Sequence, residues 1–86
     1  MPELSRFLGA IITMFYNDHG RSHFHVRYGE HKARIDVETL GLISGYLPPH
    51  IRGAVVEWGS IHHDELREAW RLVRSGQPVR PIAPLE

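Results

Sequence analysis

Two short runs of alternating apolar and polar residues, joined by a Gly-Glu pair, constrain the fold more than any other feature of the chain. The first run is HFHVRY at residues 23–28 and the second is HKARID at residues 31–36, with Gly29 and Glu30 between them. Alternation with a period of two predicts strands with one buried face, and a Gly-X pair between them predicts a type II′ hairpin turn. A turn of this length also fixes the register of the two strands.

The predicted register divides the hairpin into an apolar face and a polar face. On the apolar face, Phe24 lies opposite Ile35 and Val26 lies opposite Ala33. The polar face receives three pairs, which are His23 with Asp36, His25 with Arg34 and Arg27 with Lys32. We therefore expect the chemistry of the chain to be on the polar face.

The residues on either side of the hairpin predict further strands. Residues 9–16, GAIITMFY, form a nearly continuous apolar run rich in β-branched and aromatic side chains, which is typical of an inner strand. Residues 42–47 predict a fourth strand, which the Ser44-Gly45 pair weakens. We expect a small antiparallel sheet of three to four strands within residues 9–47.

One long helix and an extended tail complete the predicted architecture. Pro49 suits the first position of a helix, and an apolar stripe with steps of three and four residues continues to about residue 75. A straight helix of this length would measure about 37 Å, so we expect a bend near residues 59–64. The proline-rich residues 76–86 are predicted to be extended. Residues 1–86 are thus expected to form a single α+β domain.

Composition excludes several classes of protein. The chain has no cysteine, which excludes a disulfide framework and a thiolate metal site. Its ten basic residues balance ten acidic residues, which argues against nucleic-acid binding through bulk charge. The first residues do not have the pattern of a signal peptide, and no apolar run is long enough to span a membrane. We expect a cytoplasmic protein that does not contact membranes.

The polar face of the hairpin supports a first hypothesis, which is acid–base catalysis on RNA without a cofactor. Because His23 and His25 are two residues apart, their side chains share one face of the strand and can act as acid and base. Asp36 lies opposite His23, where a carboxylate can fix the tautomer of the imidazole. Four cationic residues are candidates for binding the phosphate, namely Arg21, Arg27, Lys32 and Arg34. Such a set is typical of a metal-independent ribonuclease.

The same segment supports two other interpretations. His19, His23 and His25 could bind zinc or another divalent ion, with Asp18 as a further ligand. Alternatively, the histidines form a solvated strand face, and the chain is a non-enzymatic module that binds a protein partner through its sheet edge or an apolar helix residue such as Ile61. At this point the three interpretations stay open, as do the oligomeric state and whether the protein is an enzyme.

Three segments taken together resemble the DUF4160 family of small prokaryotic proteins, whose function is unknown. These segments are FYNDHGRSHFHVRYGE at residues 15–30, VEWGSIHHDEL at residues 56–66 and GQPVRPIAPL at residues 76–85. The resemblance implies that the motif residues are Asp18, His19, His23, Phe24 and His25. It also implies a toxin-like role in a two-gene, toxin–antitoxin-like arrangement, with a small DUF2442-like protein as the partner. The Arg21-Ser22 pair departs from the family pattern, which commonly has two prolines there.

Overall fold

The computed structural model describes residues 2–86 and contains a five-stranded antiparallel sheet followed by two helices. The strands are β1 (Glu3–Phe7), β2 (Ala10–Thr13), β3 (His23–Tyr28), β4 (His31–Asp36) and β5 (Leu42–Gly45). The helices are α1 (Pro49–Ile61) and α2 (His63–Arg74). Each strand pairs with the next one along the chain. The predicted α+β class is confirmed.

The hairpin of β3 and β4 has the predicted register. Phe24 pairs with Ile35 and His25 pairs with Arg34, as the turn length indicated. Gly29 begins the turn with a φ of +57°, a value that glycine adopts without steric cost. Alternation of side chains along both strands then follows directly from this register.

The prediction of three to four strands is wrong, because β1 adds a strand at the edge of the sheet. This strand pairs with β2 through a turn at Leu8 and Gly9, whose φ values are +52° and +82°. Two successive positive φ values are typical of a tight hairpin turn, but leucine rarely adopts the first of them. The residues of this turn therefore do not match the usual sequence pattern of a hairpin turn. Because β1 is short and partly charged, its sequence predicts a strand only weakly.

The single helix predicted for residues 49–75 is also wrong, because the chain forms two helices that meet at His62. The backbone of His62 leaves the helical region, with φ of −108° and ψ of 29°, inside the range where a bend was expected. The longest dimension of the molecule is 33 Å. A straight helix of about 37 Å would project beyond it, so the break keeps the apolar stripe against the sheet.

Both helices cover the apolar face of the sheet. Trp58 of α1 is fully buried, with its ring centroid 6.0 Å from that of Phe24 on β3. The tail also packs on this side of the molecule, since the N–H of Ile82 donates to the carbonyl of Leu4 at 2.7 Å. The indole N–H of Trp58 donates to the carbonyl of Ala83 at 2.8 Å, which holds the tail against α1.

The other face of the sheet is open and largely polar. His25 and Arg27 point to it from β3, and Lys32 and Arg34 are exposed on β4. Among residues 2–86, no helix is both long enough and apolar enough to cross a membrane. Of the polar side chains predicted for this face, Arg27, Lys32 and Arg34 are exposed and His25 is partly exposed, whereas His23 and Asp36 are buried.

Candidate metal centre

Three side chains converge where β3 begins. His23 and His25 come from the strand itself, and Asp18 comes from the preceding loop, which turns back at Gly20 with a φ of +91°. The Oδ2 atom of Asp18 lies 2.8 Å from Nε2 of His25 and 3.2 Å from Nε2 of His23. One potential ligand atom from each residue lies within 4.8 Å of the other two. We call these three residues the Asp-His-His cluster.

The orientation of the His23 ring decides what this cluster can do. Nδ1 of His23 lies 2.9 Å from the backbone carbonyl of Arg21. A carbonyl oxygen only accepts, so we assign the ring proton to Nδ1, and the neutral ring then presents the lone pair of Nε2 to the cluster.

The Nε2 atom of His23 is buried and lacks a hydrogen-bond partner within residues 2–86. The whole residue is only 4% exposed. A buried acceptor nitrogen beside a carboxylate oxygen is unfavourable unless a cation or a proton lies between them. His25 differs, because its Nε2 can carry a proton and donate it to Asp18. In the neutral ring protonated at Nδ1, the cluster therefore contains one nitrogen lone pair that no donor within residues 2–86 satisfies.

Aromatic side chains enclose the cluster on two sides. The Trp70 ring of α2 lies 5.2 Å from the His23 ring, and the edge of the Phe15 ring meets His25 at a centroid distance of 4.3 Å. The side chains of Asp18 and His25 keep 24% and 26% of their surface exposed. The cluster is consequently walled by apolar rings but open to solvent on the side of Asp18 and His25.

The two separations from Asp18 are compatible with a transition-metal ion, and the two histidine nitrogens lie within 4.8 Å of each other. With metal–ligand bonds of about 2.1 Å, ligand atoms lie about 3.4 Å apart around a tetrahedral ion and about 3.0 Å apart in adjacent octahedral positions. The two measured separations from Asp18, 2.8 and 3.2 Å, are close to these values. Two imidazoles and one carboxylate are the donor set of several zinc sites and of non-haem iron sites that keep open positions.

The backbone carbonyl of Arg21 accepts the kind of hydrogen bond that metal-binding histidines usually donate. A metal-ligating imidazole almost always donates its other N–H to a carboxylate, a carbonyl or a water, which fixes the ring and its tautomer. His23 makes such a bond to Arg21. The local fold thus prepares Nε2 of His23 as a ligand.

Comparison with known families now places the chain. A family model described as a domain of unknown function (DUF4160) matches residues 9–71. The chain belongs to the DUF4160 family. The matched residues include β2, β3 and β4 and all three members of the Asp-His-His cluster. Searches of curated proteins and of solved structures gave no match.

Asp36 of this DUF4160 protein has contacts other than the predicted one. Its register opposite His23 is confirmed, but its Oδ1 accepts the backbone N–H groups of Glu38 at 2.7 Å and Thr39 at 3.0 Å. Its Oδ2 lies 3.1 Å from Nε of Arg21. The tautomer-fixing bond expected from Asp36 is instead made by the Arg21 carbonyl. A catalytic role for Asp36 stays a prediction.

The remaining predicted site residues of the DUF4160 chain fall into two groups. His19 is exposed and lies outside the Asp-His-His cluster, and Arg21 contacts Asp36. The other predicted phosphate-binding residues, Arg27, Lys32 and Arg34, are exposed on the open face of the sheet. The structure therefore brings together three of the four residues predicted as metal ligands.

Sequence reasoning did not assign Phe15 or Trp70 to the site. Trp70 falls on the apolar stripe of the helix, where its spacing predicts only a core residue, yet its ring reaches His23 from α2. Phe15 follows β2 within the apolar run and had no separate signal. Both contacts depend on how distant segments pack, which period and spacing along the chain do not encode.

Proposed function

We propose that this DUF4160 protein binds a divalent transition-metal ion through Asp18, His23 and His25, and that this centre is its functional site. The observation that carries the proposal is the buried Nε2 atom of His23, which has no hydrogen-bond partner within residues 2–86 while its Nδ1 is engaged by a carbonyl. An ion at the cluster would accept this lone pair. It would also lie between the nitrogen and the Asp18 carboxylate and neutralise their mutual repulsion.

The donor set determines which ions suit the centre. Imidazole nitrogen favours zinc, iron, nickel or copper over magnesium and calcium, which prefer oxygen ligands. Three protein ligands leave a position for water or a substrate oxygen, and the exposed side of Asp18 and His25 gives access to it. A bound ion would act there as a Lewis acid or lower the pKa of a water molecule.

Metal-independent acid–base catalysis by His23 and His25 has less support from the same geometry. A general acid or base must reach the substrate proton directly or through one water molecule. His23 is 4% exposed, and the Trp70 ring packs against it. Action on RNA is a proposal that rests on the histidine pair and the local positive charge. A toxin-like role and a DUF2442-like partner are proposals that rest on the resemblance, and a cytoplasmic location is one that rests on the composition.

The test is thermal unfolding of chelator-treated protein with and without zinc, nickel or manganese. A ligand at one hundred times its Kd stabilises the folded state by about 2.7 kcal/mol, which for a chain of this size raises the midpoint by roughly 10–20 °C. We expect this shift in the wild type. Absence of a shift with every ion would overturn the proposal.

Variants assign the shift to the cluster. His25→Ala and Asp18→Asn each remove one ligand and are expected to abolish most of the shift. His19→Ala is the matched control, because His19 is an exposed histidine of the same loop and lies outside the cluster. Loss of the shift in the control, with retention in His25→Ala, would show that the ion binds elsewhere.

A further inference from the structure

The open face of the sheet next to the metal centre carries uncompensated positive charge, although the whole chain has a net charge of zero. Arg27 on β3 and Lys32 and Arg34 on β4 are exposed on this face. The Nε of Arg34 donates to the hydroxyl of Ser44 at 2.9 Å. Within residues 2–86, the ion pairs of the arginines and lysines do not include these three side chains.

An acidic side chain of β1 that lines the groove on this face is already paired. Glu3 of β1 is bound by Arg6, whose guanidinium NH2 lies 2.8 Å from Oε1 of Glu3. The hydrogen bond from Arg6 holds the pKa of Glu3 below its usual value. Glu3 and Arg6 thus cancel each other, and Arg27, Lys32 and Arg34 leave the face with excess positive charge.

The sheet register makes these three cations a compact group beside the metal centre. Arg27 is the cross-strand partner of Lys32, and Arg34 is the partner of His25. Side chains directly opposite each other lie about 5 Å apart, and same-face neighbours along a strand lie about 7 Å apart. The positive group therefore lies directly beside His25, which belongs to the Asp-His-His cluster.

A groove of about 370 Å³ includes Arg27 and Lys32 and reaches His25 of the metal centre, whose cross-strand partner is Arg34. It is lined by Thr13, Phe15, His25, Arg27 and Lys32, among others. Phe15 contributes an aromatic ring, and the groove floor also includes the aliphatic side chains of Ile11, Val26 and Ala33. Cationic grooves with aromatic side chains are typical of surfaces that bind single-stranded nucleic acids.

From this arrangement we propose that the groove binds a single-stranded nucleic acid, with Arg27, Lys32 and Arg34 contacting successive phosphates. The phosphate nearest His25 would supply an oxygen ligand to an ion held by Asp18, His23 and His25. The inference rests on the proposed metal centre for this last contact alone, because the cationic groove exists without the ion. A single-stranded nucleic acid is favoured over one free phosphate because the three cations are distributed over β3 and β4.

Fluorescence anisotropy of a labelled oligouridylate RNA with the zinc-loaded protein tests the inference. Three phosphate contacts to a single strand predict that log K falls with log salt concentration with a slope of about −2. The Arg27→Ala/Lys32→Ala double variant is expected to weaken binding at least tenfold and to reduce the slope to about −0.7. Both residues are exposed, so the melting midpoint and its zinc shift should not change in this variant.

The matched control is Arg52→Ala/Arg80→Ala, which removes the same charge from exposed positions outside the groove. Equal loss of affinity in both double variants would overturn the proposal, as would the absence of RNA binding by the wild type. Displacement of the RNA by polyglutamate or by inorganic phosphate at equal charge concentration would also overturn it, since the ligand would then be an acidic peptide or a free anion.

Two further arms complete the design. A DNA oligonucleotide of matching length that binds as tightly as the RNA supports phosphate recognition alone, and weaker DNA binding supports contact with the ribose hydroxyl. The zinc shifts of the wild type and of Asp18→Asn, measured beside the RNA affinities, distinguish the two proposals. If the metal centre fails but the groove is correct, no zinc shift is seen in any variant while the loss of RNA affinity in Arg27→Ala/Lys32→Ala persists.

Discussion

Replacement of Asp36 by alanine tests whether this buried carboxylate stabilises the fold. Asp36 is 5% exposed and accepts two backbone N–H groups, at 2.7 Å from Glu38 and 3.0 Å from Thr39. The turn that it supports contains Leu40 at a φ of +61°, a conformation that a residue with a side chain adopts only when its surroundings enforce it.

The expected loss follows from these contacts. Hydrogen bonds to a charged acceptor contribute about 1.5–3 kcal/mol each, and the burial cost of the carboxylate offsets part of this. The ion pair with Arg21 adds little, because the side chain of Arg21 is 70% exposed. We expect Asp36→Ala to lower the free energy of unfolding by about 2–3 kcal/mol, which corresponds to roughly 10–20 °C in the midpoint.

Thermal and urea unfolding measure this change, with Glu30→Ala as the control. Glu30 is an exposed acidic residue in the β3–β4 turn, so its replacement removes the same charge without a buried contact. Equal midpoints for Asp36→Ala and the control would refute the argument. The zinc shift should persist in Asp36→Ala, and its loss would show that Asp36 acts in the metal centre.

Three other substitutions test β5, α1 and the contact of α2 with Glu38. Gly45→Ala should destabilise the fold by about 3 kcal/mol or more, because Gly45 has a φ of +87° and an added Cβ would overlap the carbonyl oxygen of Lys32. Gly53→Ala, where a Cβ meets open space in α1, should stabilise it by about 0.5–1 kcal/mol, and the same sign for both variants in urea unfolding would contradict the structure. The hydrogen bond from Arg67 lowers the pKa of Glu38, so the stability that this pair contributes is present above the unfolded pKa of Glu38 and is lost as pH falls through the lowered value. The difference in midpoint between wild type and Arg67→Gln should therefore vanish in acid, and a difference that persists there would exclude this origin.

Local pattern was sufficient to predict the hairpin of β3 and β4. Its strands have a period of two, and its turn length sets the register, so Phe24 opposite Ile35 follows from adjacent residues alone. The hairpin of β1 and β2 follows the same physics but uses Leu8 at a positive φ. Because this conformation is unfavourable for leucine, the turn depends on contacts elsewhere in the fold. The local sequence therefore does not predict it.

The candidate site was predictable only in part for a similar reason. The period of a strand places His23 and His25 on one face, which required no knowledge of the fold. The approach of Asp18 depends on the conformation of the loop, and the burial of His23 depends on Trp70, which α2 contributes. That Nε2 of His23 has no hydrogen-bond partner within residues 2–86 is a property of this packing and has no counterpart in the sequence.

The most direct test of the metal centre is long-range proton–nitrogen NMR of the histidine rings during a titration with zinc. We expect one equivalent of zinc to shift the Nε2 resonances of His23 and His25, while Nδ1 of His23 stays protonated and bound to the Arg21 carbonyl. The resonances of His19 should not change. Unchanged Nε2 resonances of His23 at saturating zinc, or a shift confined to His19, would contradict the account.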